Sequence, residues 1–349
     1  MTLHNTIRNL IHTVLIGAVI LLLCSFGHGY DPFGYSRIVT PEKEAVLEES
    51  GIFAISGKEG LYMPMAAYGR ILAMSRMGSY NRIAAVDTED GRILGEYLTD
   101  SEMSSVFSEC QYRVKNDDLI LYLHDFTNAN FYSMNLSKTV STGNEVLSPL
   151  GKLPGTVAFV TFLHDSTNML SHITPDGRAV CEKIGFEGDV LASWELFPKA
   201  DPHMLKTMLA YRVAPDVSGI RAAIAMTFLP VLGIIDLSTG EIRYVQYSKD
   251  FDMKRISDKF LRTGEYPGDS FVSRLYTYDQ GICIVRTCFS DSDDEDSTEI
   301  LMFDWNGTFK YKYSISKAFT STALDFRNSL LYGGEGQSTI YVYNLTDCL

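Results

Sequence analysis

Two short segments of this chain carry chemically able residues in nearly the same order. Leu123-His124-Asp125-Phe-Thr127-Asn128 and Leu163-His164-Asp165-Ser-Thr167-Asn168 lie forty residues apart. A histidine beside an aspartate can donate to, or coordinate, a polar ligand, and imidazole changes charge near neutral pH. The same Asp-x-Thr-Asn run is also good turn chemistry, because the aspartate side chain caps backbone N–H groups, and that bland reading is the preferred one. A third segment, Asp291-Ser-Asp293-Asp294-Glu295-Asp296, places five acids in six positions. Alternating oxygens suggest calcium, but the glycine wanted at position six is missing, and position twelve is Met302 instead of a bidentate glutamate. A solvated, self-repelling loop tip is therefore expected there. Nucleophilic catalysis has no foothold. The chain lacks a G-x-S-x-G elbow, a Walker loop, a Rossmann glycine triplet and H-E-x-x-H, and only four histidines (124, 164, 172 and 203) follow the N-terminal thirty residues. No cofactor is expected.

Elements that could position such residues show themselves as a repeat. Ile83-Ala-Ala-Val-Asp87, Phe131-Tyr-Ser-Met-Asn135, Leu170-Ser-His-Ile-Thr174, Leu232-Gly-Ile-Ile-Asp236, Leu301-Met-Phe-Asp304 and Ile340-Tyr-Val-Tyr-Asn344 each read as a short apolar strand ending at a turn-opening residue. Asp-Gly, Thr-Gly and Asn-Gly pairs that follow several of them supply the positive φ of a tight hairpin. The turn openers stand 48, 39, 62, 68 and 40 residues apart. A four-stranded propeller blade fits that period. The reading is all-β: a six-bladed β-propeller over residues 44–349, with four-stranded antiparallel blades. Short helical insertions between blades, near 200–209 and 251–261, account for the two long intervals. Because Ile340–Tyr343 ends close to the C-terminus, a segment near Glu44–Leu47 is expected to supply the last outer strand and close the ring.

The 349 residues carry 30 Lys+Arg against 43 Asp+Glu, a net charge of −13, which argues against a nucleic-acid partner. Residues 1–29 read as an export leader, with Arg8 ahead of an apolar run from Val14 to Leu23, too short to span a bilayer. Residues 30–43 read as a linker. Leu21-Leu22-Leu23-Cys24 looks like a lipobox with Cys24 as the acylated residue, although Leu23 stands where a small residue is preferred. Ordinary cleavage after Gly29 is the competing reading. The expected address is the periplasm or cell surface, with a lipid anchor in the outer membrane as the only membrane attachment. Cys110, Cys181, Cys283, Cys288 and Cys348 form no metal-ligand spacing and read as buried thiols.

With this leader, six loosely similar blades and strand pairs such as Tyr276 to Arg286, the chain resembles the TolB-like six-bladed propeller proteins of Bacteroides-type bacteria. The resemblance covers nearly the whole mature chain by pattern, without a diagnostic motif. It implies an exported propeller, often a lipoprotein, and it carries over no catalytic residue.

In a blade, the connection between strands B and C shares a rim with the D–A connection to the next blade. Arg76, His124, Asp125, His164, Asp165, Asp291, Asp293 and Asp294 are assigned to that rim as the ligand-binding face. The function expected is a non-enzymatic binding or scaffold module for a protein, peptide or glycan. The alternative is a metal-dependent hydrolase or lactonase with acids such as Glu109, Asp216 and Asp269 converging on the central channel.

Overall fold

The computed structural model describes residues 37–56, 60–77, 82–98, 111–125, 130–152, 159–163, 167–174, 176, 178–185, 187–197, 211–248, 262–263, 270–289 and 296–346. The leader and Cys24 lie outside this set, as do both segments read as helical insertions.

The described residues open with an extended arm of β1 (Arg37–Ile38), β2 (Lys43–Val46) and β3 (Glu49–Ala54). Six antiparallel sheets follow. The first blade is β4 (Leu61–Tyr68), β5 (Ile71–Met77), β6 (Arg82–Asp87) and β7 (Ile93–Tyr97). The second is β8 (Gln111–Lys115), β9 (Asp118–Asp125), β10 (Asn130–Asn135) and β11 (Leu147–Lys152), with the short helix α1 (Leu136–Thr142) between its last two strands. The third is β12 (Phe159–Phe162), β13 (Asn168–Ile173), β14 (Ala179–Ile184) and β15 (Val190–Leu196). The fourth is β16 (Tyr211–Pro215), β17 (Arg221–Met226), β18 (Val231–Asp236) and β19 (Ile242–Gln246). The fifth is β20 (Ser270–Tyr278), β21 (Gly281–Cys288), β22 (Ser297–Asp304) and β23 (Phe309–Ile315). The sixth uses β24 (Ser321–Asp325), β25 (Leu330–Gly334) and β26 (Thr339–Asn344), and takes β3 as its outer strand. The expected six-bladed propeller of four-stranded blades is the observed fold.

The clasp falls a few residues later than expected. β3 pairs antiparallel with β26, matching Ile340 to Phe53 and Thr339 to Ala54. The segment expected to be the clasp, near Glu44–Leu47, instead falls in β2, which pairs parallel with β23 in the fifth blade, Lys43 beside Tyr311 and Val46 beside Ser314. β1 does the same to β19 in the fourth blade. The sheets therefore reach back to Arg37, inside the segment read as linker. The arm runs along three consecutive outer edges and satisfies backbone groups that an open edge would offer to another chain. Gly91 seats the clasp. Its φ is +72°, and a Cβ there would lie 2.2 Å from the carbonyl oxygen of Ala54.

Turn chemistry explains the hairpins. Asp87, Asp236 and Asp304 each end a third strand, and each accepts backbone N–H bonds from the turn it opens, as in Ser238 N to Asp236 Oδ1 at 2.8 Å. Asn135 opens a helix instead of a tight turn. Its Oδ1 caps the Lys138 N–H at 2.9 Å, and Gly143 ends α1 in the left-handed region at φ 73°.

One unit is shifted from its expected register. Thr174 joins β13 to β14, the second and third strands of its sheet, where the repeat placed it between the third and fourth. The cause is β12. At four residues it is the shortest strand of the blades, too brief to be seen in the sequence.

Between blades the wedge is filled by apolar side chains. One cluster joins blades 3 and 4 (Met169 and Cys181 against Ile224), the next blades 4 and 5 (Leu232 against Ile284), and another blades 5 and 6 (Val285 against Leu331). The ring continues with blades 6 and 1 (Tyr332 against Met74), then blades 1 and 2 (Ala85 against Leu121). Among the described residues, no such cluster joins blades 2 and 3.

Candidate functional site

The strand order separates two faces. A–B connections are short, from two residues (69–70, 116–117, 279–280) to five (163–167, 216–220). Tyr68, Asp117 and Arg327, from three of these turns, meet on that face: Tyr68 Oη donates to Asp117 Oδ1 at 2.6 Å, and Arg327 Nη1 lies 2.7 Å from Tyr68 Oη. On the opposite face the D–A connections 98–110, 197–210 and 247–269 span 13, 14 and 23 residues. Long connections on one rim of a rigid scaffold are where such proteins vary their binding surfaces.

The residues assigned to that rim are spread over different parts of the ring. Arg76 sits within β5, ion-paired at 2.8 Å with Glu96 and 5.8 Å from the Tyr62 ring centroid. His124 and Asp125 are not loop residues either, since β9 continues through both. Successive strand residues point to opposite faces. Asp125, fully buried, therefore lies on the Leu121 and Leu123 side toward blade 1, and His124 on the side toward blade 3. The near-copy segments occupy unlike connections. The 126–129 segment joins the second and third strands of its sheet, whereas residues 163–167 join the first and second. In an antiparallel sheet those lie at opposite ends of the second strand. His164, Asp165, Asp291, Asp293 and Asp294 fall outside the described residues, as do Glu109 and Asp269 of the alternative reading. Asp216, the third acid of that reading, is bound into its own A–B turn: Oδ1 accepts from Ile220 N at 2.9 Å, and Oδ2 pairs with Arg221 at 3.2 Å.

The axis itself is crossed by side chains. Tyr112 of blade 2 and Tyr276 of blade 5, three blades apart in a ring of six, meet edge to face with ring centroids 6.3 Å apart. Tyr112 Oη donates to the Leu324 carbonyl of blade 6, and Tyr276 Oη to Thr322 O at 2.7 Å. Arg274 of blade 5 reaches the Thr322 and Pro64 carbonyls. Among the described residues, no three His, Cys, Asp or Glu side chains are grouped to hold a metal.

A different polar site lies in the seam between blades 2 and 3. On β8 and β9, Gln111, Arg113, Tyr122 and His124 share the face opposite the leucines. Phe162 meets them from blade 3. Its ring stacks on Tyr122 at 4.2 Å, its backbone N–H donates to Gln111 Oε1 at 2.6 Å, and its carbonyl accepts from Gln111 Nε2 at 2.9 Å. The Arg113 guanidinium lies 5.5 Å from the Phe162 centroid. Asn168, directly opposite Phe162 on β13, is 1% exposed, with neither side-chain amide atom hydrogen-bonded. His172 and Glu182 pair at 3.1 Å on the same sheet. Burial pushes His124 down to about 4, outweighing the attraction of Asp125, and it lowers the Arg113 guanidinium against the opposing pull of Tyr122 and Asp216.

The seam residues escaped sequence reasoning, except His124, which was assigned to the ligand-binding rim, and Asn168, which appeared only as a turn residue. A signal was present in the alternation of β9, where Leu119, Leu121 and Leu123 define one face while Tyr122 and His124 sit on the other.

No family model and no curated protein matches the chain. Solved structures do, at the level of fold. One is a Bacteroides fragilis protein thought to be exported, with TM-score 0.51, 8% identity, and coverage of 88% of this chain and 98% of the other. A member of the DUF4221 family from Bacteroides vulgatus gives TM-score 0.49, 10% identity and coverage of 86% and 97%. Raptor from Chaetomium thermophilum gives TM-score 0.50 at 11% identity over 85% of this chain and 28% of that one. At these identities the likeness is one of fold. Among the described residues, no helix is long and apolar enough to cross a membrane.

Proposed function

We propose that this chain is an exported binding module, not an enzyme, and that it holds a protein, peptide or glycan partner on the face built from the B–C and D–A connections. The carrying observation is the asymmetry of the two rims: the longest connection on the A–B and C–D rim is the eleven-residue 136–146 segment that holds α1, against 13, 14 and 23 residues on three D–A connections. Export is supported by the N-terminal apolar run and by the fold shared with the Bacteroides fragilis protein. Attachment through Cys24 belongs to the same reading, and Cys24→Ser is expected to release the protein from the membrane fraction.

Glycan and peptide arrays probed with the mature protein test the face. A variant with residues 249–265 replaced by a short Gly-Ser linker is expected to lose the bound spots, while Arg327→Ala, on the opposite rim, keeps them. Binding indifferent to the linker replacement and lost in Arg327→Ala would overturn the assignment. A tightly held divalent ion, one per chain and resistant to dialysis, would favour the hydrolase alternative instead.

A further inference from the structure

In the seam between blades 2 and 3, Asn168 lacks the partners that burial demands, and Arg113 is held by little. Asn168 carries an acceptor and two donors, and neither amide atom finds a hydrogen bond at 1% exposure. Its orientation follows from its neighbour. Met169 packs into the core shared with blade 4, so Asn168 faces blade 2. Across the seam, Arg113 makes no ion pair among the described residues. Its hydrogen bond is a long one, 3.4 Å, from Nη2 to the Asp216 carbonyl, and the Asp216 carboxylate attracts it at longer range. Both groups flank one ring, Phe162, with Arg113 5.5 Å from its centroid and Asn168 opposite it on the neighbouring strand. Buried polar groups are ordinarily hydrogen-bonded, so an orphaned amide across from a guanidinium held by one long hydrogen bond marks a place where a ligand can satisfy the amide and engage the guanidinium's remaining donors. Each of the other five seams is closed by an apolar cluster.

We infer that this seam is a binding site for a small organic carboxylate bearing a hydroxyl or amide group, with Arg113 holding the carboxylate and Asn168 the neutral group. A guanidinium presents two parallel N–H donors, which match a carboxylate fork. The Asn168 amide can accept from a hydroxyl and donate to it. Phe162, stacked on Tyr122, forms an apolar wall between the two polar contacts. The site is separate from the rim loops, so it stands or falls independently of the binding face proposed above.

Titration calorimetry on the mature protein with sodium lactate, sodium acetate, sodium phosphate and sodium chloride at matched ionic strength tests it. Saturable binding of lactate and acetate, with lactate the tighter, is expected, while chloride gives none. Arg113→Met is expected to weaken both carboxylates at least about tenfold, the scale of a lost charge-assisted hydrogen bond. Arg113→Lys, which keeps the charge and guards against a folding defect, should fall between. Asn168→Leu should abolish the preference for lactate over acetate. Carboxylates behaving as chloride does, phosphate binding more tightly than lactate, or an Arg113→Met protein binding as wild type would each overturn the assignment.

Discussion

His124 shows how far one residue's meaning depends on its neighbours in space. In the sequence it reads as half of a His–Asp pair in a loop. In the fold it is a strand residue, turned away from Asp125 and set edge to face against Phe131, with ring centroids 6.3 Å apart. Its pKa of about 4, against 6.5 for free histidine, has a direct consequence for stability. Between those values the unfolded chain binds a proton that the folded chain refuses. Stability is therefore complete above pH 6.5 and declines as the pH falls toward 4. His124→Gln should flatten that decline by about 1–3 kcal/mol, allowing for partial exposure. Denaturant unfolding at pH 7 and pH 4.5 checks this, and an equal pH response in the two proteins would refute it. Asn168 makes the same point. As a letter it is turn chemistry, and only the packing of Met169 on the other face reveals that its amide is buried in a seam.

At the scale of elements, the turn openers Asp87, Asp236 and Asp304 were legible because aspartate caps hairpin turns locally, with no help from the rest of the fold. The helix α1 was missed although Asn135 and Gly143 bracket it, since a seven-residue helix inside a hairpin interrupts a pattern that otherwise wants a tight turn. The third blade slipped for a related reason. Thr174-Pro-Asp-Gly177 resembles the other C–D turns, and the brief β12 gave no signal to correct it. The arm illustrates a further limit. A chain terminus can be expected to close a ring, but which four residues pair with which edge depends on geometry between blades. Two truncations separate the roles of the arm. Removing residues before 48 takes away only the parallel strands β1 and β2, and should lower stability modestly while leaving one cooperative transition. Removing residues through 56 also exposes the edge of β26, and should broaden the unfolding transition and promote aggregation. Thermal melts with light scattering read both, and a monomeric, fully cooperative protein lacking β3 would refute the clasp.

For the whole molecule, the informative feature is the break in its sixfold regularity. Five seams are closed by apolar clusters, whereas among the described residues the sixth, between blades 2 and 3, sets Gln111, Arg113, His124 and Asn168 around the rings of Tyr122, Phe131 and Phe162. Composition and net charge argue against a nucleic-acid partner, but they are averages and say nothing about which seam is different. A ring built this way should open at its polar seam first, because hydrophobic burial there is least. Native-state hydrogen exchange followed by mass spectrometry measures that opening strand by strand. β8, β9, β12 and β13 are predicted to exchange before the inner strands of blades 4, 5 and 6, and a carboxylate held in the seam should slow them selectively. Uniform exchange around the ring, or slowest exchange in blades 2 and 3, would contradict a propeller whose distinctive site is the seam between them.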